Sequence, residues 1–433
     1  MPDTSQETEA LLTSSPQETY VQVGSEGKTI TKANKPDNKN RYTIRCRDAW
    51  RYSTKKVLCG FTRLFYIVAF VIALIAVLLV LVFAVWPALY TCDVDLALPR
   101  DAALCNRDAA LCDRRVNEVT FACLHNAYAS RADKFGLPQH DECFRTALVA
   151  GARALMLDVH LKADGTLALC HARCIAGQEM PLSDVLSYIN DFLVLNPNEI
   201  VIIVWETGYD GRANTTDADR IELKTRLDEA YAVNLAARSY FRSSSESTAP
   251  WPTLRQLRDD GTTLLSFSDS ASLPGTTWDM QAYGYGGHLF DTTYNTPFAE
   301  SLAEDCSLVG RGHPHPNRLF IVNHFTHFGA VGVDLTRVKL LGVDIESLSG
   351  VDLMQALGID VLSYNMDPFL TARITACGEC HGYAPNLIAV DFWANSDVLA
   401  LTMRLNSLSV RERRERFARN ASACPSNATV WPV

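Results

Sequence analysis

The sequence predicts an α/β domain built on a mainly parallel sheet, placed behind a single transmembrane helix and a mobile tail. Three observations carry that reading. Apolar runs of four to eight residues alternate with amphipathic stretches long enough for crossover helices, an uncharged run of 27 residues precedes them, and the 63 residues before that run are polar and segregated in charge. A closed barrel and an open doubly wound sheet both satisfy the alternation.

Residues 1–63 read as a cytosolic tail, acidic and then basic. Five acids (Asp3, Glu7, Glu9, Glu18, Glu26) and no base lie in residues 1–27, whereas residues 28–63 hold eleven Lys or Arg against Asp37 and Asp48. The first 45 residues are rich in Ser, Thr, Gln, Glu, Asn and Lys, so they cannot bury enough apolar surface to offset the entropy of ordering. Leu64 to Tyr90 carries no charge at all. About 20 helical residues cross a ~30 Å hydrocarbon core, so this run is long enough to span with some tilt.

Orientation follows from the flanks. Arg41, Arg45, Arg47, Arg51, Lys55, Lys56 and Arg63 precede the run and Asp93 and Asp95 follow it, which places the N-terminus in the cytosol and the rest of the chain outside or in a lumen. The N-x-Ser/Thr acceptors at Asn214, Asn420 and Asn427 all fall on the expected outer side. Eleven of the thirteen cysteines lie beyond the run, where they should mostly be disulfides; an odd number leaves one over. Cys46 and Cys59, beside the membrane on the cytosolic side, read as palmitoylation sites or plain thiols. Cys377 to His381 spells the haem-attachment pattern C-x-x-C-H, but among so many cysteines disulfide chemistry is the better reading.

Residues 91–115 are expected to form a stalk and residues 116–433 one domain. Predicted strands are 119–124, 154–160, 166–170, 199–206, 263–268, 319–325 and 387–393; predicted helices are 141–152, 181–193 and 217–235. With 48% apolar and 21% charged residues the chain folds, and a net charge of -9 argues against nucleic-acid binding. No G-x-G-x-x-G follows a strand and no P-loop motif is present, which lowers a nucleotide-binding reading.

In parallel α/β barrels functional groups gather at the carboxyl ends of the strands. Four apolar runs end in polar groups here: His125-Asn126, Asp158-Val159-His160, His171 and Glu206. Singly, each suits a satisfied structural role. Together they set two imidazoles, an amide and two carboxylates at corresponding places. Two imidazoles flanking one centre suit general acid–base catalysis, and Asn126, Asp158 and Glu206 offer the oxygen ligands that Ca²⁺ or Mg²⁺ prefers. That combination points to phosphodiester cleavage.

LHNAY (124–128), GARALMLDVH (151–160) with LALCHARC (167–174), NPNEIVIIVWE (196–206), FIVNHF (320–325) and NLIAVDFW (386–393) resemble the phosphatidylinositol-specific phospholipase C X-domain family. The likeness is greatest to its secreted or membrane-anchored phosphodiesterase branch and covers roughly residues 116 to 395. It implies a TIM-type barrel, irregular or incompletely closed, acting on a membrane lipid. It also implies that His125 is the general base on the inositol 2-hydroxyl, that His171 is the general acid, and that the product is a cyclic inositol phosphate. Asp391 either takes the place of the aspartate that orients the base in the bacterial branch or is structural. Asn126, Asp158 and Glu206 would hold Ca²⁺, but Met156 stands where the metal-dependent branch has another carboxylate. The metal-independent bacterial branch has an arginine where Asp158 stands, so neither pattern is complete, and His160, on the same strand face, leaves a different metal or a purely histidine-based site open.

Arg153 and Arg173 are candidate phosphate binders or ion-paired surface groups, and Tyr283, Tyr285 and His288 line a headgroup pocket or pack as a loop. Two rival functions stand beside the enzyme. One is an inactive barrel that binds a headgroup or a protein; the other is a glycerophosphodiester-type or sphingomyelinase D-type phosphodiesterase, whose Glu-x-Asp metal pair Met156 again breaks.

Overall fold

Strands with large apolar residues at consecutive positions need cover on both faces, and the chain provides it with helices outside and a second apolar layer inside. The computed structural model describes residues 65–78, 80, 92–99, 101–135, 138–170, 174, 178–209, 216–269, 279–284, 286–294, 305–310, 312–325, 339–340, 343–344 and 364–420. It divides into two units, 1–75 and 76–433.

Residues 65–78 are helical, and Phe65, Tyr66, Ile67, Phe70 and Ile72 are exposed. Among the described residues no helix is long and apolar enough to cross a membrane. The expected span runs from Leu64 to Tyr90, and its residues 64, 79 and 81–90 lie outside the described ones, as does the whole tail.

In the second unit the strands are β1 (Phe121–Leu124), β2 (Ala154–Leu161), β3 (Leu167–Leu169), β4 (Met180–Pro181), β5 (Val201–Tyr209), β6 (Ser239–Tyr240) and β7 (Leu264–Ser268). They continue with β8 (Met280–Gln281), β9 (Leu289–Asp291), β10 (Leu319–His324), β11 (Lys339–Leu340), β12 (Val343–Asp344) and β13 (Leu387–Val390). The helices are α1 (Phe144–Ala150), α2 (Leu182–Leu195), α3 (Asp217–Asn234), α4 (Leu254–Asp259), α5 (Phe369–His381), α6 (Val398–Ser407) and α7 (Val410–Arg416).

The main sheet runs β6-β7-β5-β2-β1-β13-β10-β9, with every neighbouring pair parallel. It is a curled half-barrel. β6 covers the first half of β7 and β8 the second. The chain after β8 then reaches β9, with His288 N–H on the Gln281 carbonyl at 3.0 Å and Leu289 N–H on that of Ala282 at 2.7 Å.

Side-chain alternation sorts each strand into two layers. On β2, Leu155, Leu157, Val159 and Leu161 join the apolar layer of Leu186, Ile189 and Phe192 from α2 and Leu223, Leu227 and Tyr231 from α3. Ala154 and Met156 instead face inward with Cys123, Val204, Phe267, Ile321 and Ala389. Asp158 and His160, two and four residues beyond Met156, continue that inner face to the carboxyl end of the strand.

One expected barrel strand has another role. Residues 166–170 supply β3, which pairs antiparallel with β2 and then with β4. The turn between β2 and β3 is tightened by Gly165 at φ +79° and by Lys162 N–H bonding to the Thr166 carbonyl, and so short a link cannot cross over to a parallel partner.

Four disulfides join described residues: Cys92–Cys143, Cys105–Cys112, Cys170–Cys174 and Cys306–Cys377. Cys380 is disulfide-bonded as well. His381 Nε2 donates to the Cys306 carbonyl at 2.6 Å, so the C-x-x-C-H run is disulfide structure and not a haem site. Cys123 is free, and burial in the barrel interior pushes its thiol far above the usual range.

Arg153 is no phosphate ligand. It opens β2 at the end away from the mouth, 3% exposed, and its Nε donates to Glu199 Oε2 at 2.7 Å. His288 is fully buried, Tyr283 nearly so, and Arg242 Nε lies 3.2 Å from His288 Nδ1, which makes this stretch a packed loop rather than a headgroup pocket. Arg173 and Tyr285 lie outside the described residues. Glu199→Ala should leave the Arg153 guanidinium buried and uncompensated, lowering unfolding free energy by about 3–5 kcal/mol in denaturant titration.

Candidate active site

β1 and β13 are neighbours with Leu124 opposite Val390, so the residues that follow, His125 and Asp391, leave the sheet side by side. His125 N–H bonds to the Val390 carbonyl at 3.1 Å. The His125 Nδ1 to Asp391 Oδ1 distance is 3.0 Å, with the imidazole 19% exposed and the carboxylate fully buried. A buried carboxylate accepts, so Nδ1 carries the proton and Nε2 is left as the acceptor of the ring.

Each of the two is followed by a left-handed residue: Asn126 at φ +45° and Phe392 at φ +46°. For Phe392 such a backbone costs roughly 1–3 kcal/mol and persists only where packing enforces it. That packing is visible. Phe392 N–H bonds to the Gln139 carbonyl at 2.8 Å, Asn365 Nδ2 donates to the Asp391 carbonyl at 2.8 Å, and His140 Nε2 donates to the His125 carbonyl at 2.7 Å. The Phe325 ring, just beyond β10, stacks on the His125 imidazole with centroids 3.6 Å apart and planes 2° from parallel.

On the other side of β1 lies the oxygen cluster. Asp158 and Glu206 are opposite each other in the β2–β5 register, so their side chains leave the same face. Asn126 is 1% exposed. With its NH₂ toward Asp158 it donates to Oδ2 at 3.0 Å and Oδ1 at 3.2 Å, while its oxygen accepts from Gln139 Nε2 at 3.2 Å. Tyr128 OH lies 3.5 Å from Asp158 Oδ2. Burial first, and then the Glu206 charge, hold the Asp158 carboxyl well above the usual carboxylate range; Asp269 adds to the effect. Among the described residues no basic side chain pairs with Asp158 or Glu206. Met156 sits one pleat below Asp158, opposite Val204, and offers no oxygen.

The structure thus gathers His125 with Asp391, and Asn126 with Asp158 and Glu206. His171 lies outside the described residues, and so do Asn214 and Asn427; Asn420 is exposed. Asp269 was legible by the same rule as the others, since it ends the run TLLSFS, yet it is absent from the expected set. Gln139, His140 and Asn365 lie on loops and carry no strand-end signal. Among the described residues, the one group of three His, Cys, Asp or Glu side chains with metal-like spacing is Cys92, Asp133 and Cys143, and its two sulfurs are bonded to each other.

The segment that holds Asp391 is itself anchored. His324, ending β10, donates from Nε2 to the Tyr364 carbonyl at 3.0 Å, and Arg373 Nη1 lies 3.2 Å from its Nδ1. Burial, and then the Arg373 charge, push His324 down to about 3. The folded state therefore resists protonation that the unfolded state accepts below its usual value near 6.5, so this histidine costs stability progressively as pH falls from 6.5 to about 3. Compared with wild type, His324→Gln should gain relative stability across that window in thermal melts; a difference that does not change with pH would contradict this.

Fold and site together define a class: α/β half-barrels with a polar mouth at the carboxyl ends of parallel strands. The PI-PLC X 1 family model matches residues 111–342, more than half of the chain, and the chain belongs to the PI-PLC X-domain family. It is 25% identical over 311 residues to PI-PLC X domain-containing protein 1 of Arthroderma benhamiae, covering 70% of this chain and 90% of that one. Among solved structures, a variant of the Staphylococcus aureus phosphatidylinositol-specific phospholipase C aligns with TM-score 0.41 and 16% identity over 69% of this chain and 94% of its own. The Listeria monocytogenes phosphatidylinositol-specific phospholipase C aligns with TM-score 0.39 and 15% identity over 68% and 97%.

Proposed function

We propose that this chain is a phosphoric diester hydrolase of phospholipase C type that cleaves an inositol phospholipid or a related glycosylphosphatidylinositol. The observation that carries this reading is the His125–Asp391 pair at the barrel mouth, with the ring acceptor Nε2 left for substrate. His125 Nε2 takes the proton of the inositol 2-hydroxyl, whose oxygen attacks the phosphorus. Asp391 fixes the tautomer and stabilises the imidazolium that forms. The leaving oxygen of the lipid must receive a proton, and His171 is assigned that role. The phosphorus then closes into a cyclic diester.

The oxygen cluster fits a hard cation. With the Asn126 amide turned over, its oxygen takes the place 3.0 and 3.2 Å from the Asp158 oxygens, and Glu206 completes an all-oxygen set with no basic partner among the described residues. Ca²⁺ held there would offset charge gathering on the phosphoryl oxygens. With Met156 in the place of a carboxylate, fewer charged ligands mean weaker binding. In the same reading Leu64 to Tyr90 crosses the membrane with the barrel on the outer or luminal side, near its lipid.

The test is release of water-soluble inositol phosphate from labelled phosphatidylinositol by the full chain. His125→Ala and His171→Ala should each abolish it. Asp391→Asn should lower kcat by about 10²–10⁴-fold with KM little changed, because geometry survives and the proton assignment does not. EDTA should suppress turnover and Ca²⁺ restore it, with Asp158→Asn needing more Ca²⁺ for half-maximal rate. Met156 favours a second reading, a barrel that binds a headgroup without cleaving it; phosphatidylinositol binding with no turnover on any phosphodiester would establish that one.

A further inference from the structure

β1, β10 and β13 begin at the end of the barrel opposite His125 and Asp391, and there they are stitched together. Phe121 N–H bonds to the Asn386 carbonyl at 2.6 Å, and Asn386 N–H to that of Phe320 at 2.8 Å. Between this seam and α7 lies a cavity of about 360 Å³, bordered by Asn117, Glu118, Arg318, Asn386, Arg413 and Arg414 among others. That volume is at the small end of ordinary ligand sites.

The charge of the lining is lopsided, with three guanidinium groups against the single carboxylate of Glu118. Glu118 is already engaged: Oε2 accepts from Arg115 N–H at 3.0 Å, and Oε1 lies 3.5 Å from Arg414 Nη2. Arg414 is 76% exposed, at the rim, whereas Arg413 is 3% exposed. Arg413 Nη1 donates to Thr120 Oγ1 at 2.8 Å and to the Leu405 carbonyl at 3.2 Å, both neutral acceptors. Its Nη2 is buried and has no hydrogen-bond partner among the described residues. Burial first, and then the Arg114 charge, pull the Arg413 guanidinium down to about 10, against the charge of Glu118. A buried cation held by neutral oxygens is costly, and an anion beside it offsets that cost. A second orphan lies on the same lining. Asn117 Nδ2 donates to the Pro316 carbonyl at 2.9 Å, which fixes the amide and leaves the buried Oδ1 with no donor among the described residues.

We propose that this cavity is a second ligand site, separate from the one at the mouth, and that it takes a small soluble phosphomonoester carrying hydroxyl groups. Arg413 Nη2 and the Arg414 guanidinium take the phosphate oxygens, since guanidinium groups match oxyanions in geometry as well as charge. A hydroxyl of the same ligand donates to Asn117 Oδ1. One molecule of this class supplies both what the buried donor and what the buried acceptor need. Arg318, whose Nη1 donates to the His313 carbonyl at 3.2 Å, adds positive charge to the lining. No step of the proposed reaction uses this end of the barrel, so the inference stands whether or not the mouth is catalytic.

The test is calorimetric titration of the full chain in detergent with glucose 6-phosphate, glycerol 3-phosphate, inorganic phosphate and glucose. At least one of the two phosphomonoesters should bind at one site per chain and raise the melting temperature. Inorganic phosphate should bind more weakly by about tenfold, and glucose without its phosphate should give no heat. Arg414→Glu, at an exposed position, should weaken phosphomonoester binding by about tenfold or more, and His125→Ala should leave it unchanged. Arg413→Gln should abolish it; should that variant fail to fold, Arg414→Glu carries the test alone. Failure of both phosphomonoesters to bind overturns the proposal. So does binding that survives Arg414→Glu and is lost in His125→Ala, which places the anion at the mouth. Inorganic phosphate binding as tightly as the esters contradicts the hydroxyl contact with Asn117. None of these readings needs turnover, so they are independent of the catalytic reading.

Discussion

The 3.0 Å bond between His125 and Asp391 joins two neighbouring parallel strands at the point where both leave the sheet, and much of the mouth is arranged around it. A fully buried carboxylate is costly unless hydrogen-bonded, and here its partner is the imidazole. Both strands turn through left-handed residues immediately afterwards, which needs external support. Gln139 supports both turns, one through its side chain and one through its carbonyl. His140, Asn365 and Phe325 hold the remaining freedom of the pair. Burial pushes His140 down to about 4, against the Asp391 charge and the backbone bond to His125, which both raise it, so it acts as a neutral donor to the His125 carbonyl.

On the other flank of β1 the chemistry is reversed, with acids gathered and no base among the described residues paired to Asp158 or Glu206. Register alone brings Asp158 beside Glu206, and the buried Asn126 amide faces them. Burial first, and then the Glu206 charge, raise the proton affinity of Asp158. Under the proposed function, a hard cation would offset that charge. Asp269, the residue after β7, adds to the negative charge felt by Asp158.

Much of this was legible from the residues because a parallel sheet covered on both faces writes itself as short apolar runs, and because polar residues ending such runs mark the mouth. β1, β2, β5, β7, β10 and β13 follow that rule. β9 does not announce itself, since three residues are too few to show a period, and β3 misleads because a hairpin strand is as apolar as a barrel strand. The braces Gln139, His140 and Asn365 lie on loops, where no periodicity applies. Disulfide connectivity is likewise hidden in sequence, so the pairing of Cys92 with Cys143 emerges only from the fold.

In the proposed function His125, aligned by Asp391, activates a hydroxyl of the substrate itself rather than a water. The most direct measurement is the ³¹P resonance of the first product formed from phosphatidylinositol by the full chain. A cyclic phosphodiester appearing before any phosphomonoester is the predicted result. A phosphomonoester as the first product, with oxygen taken from labelled water at equal rate, would contradict it.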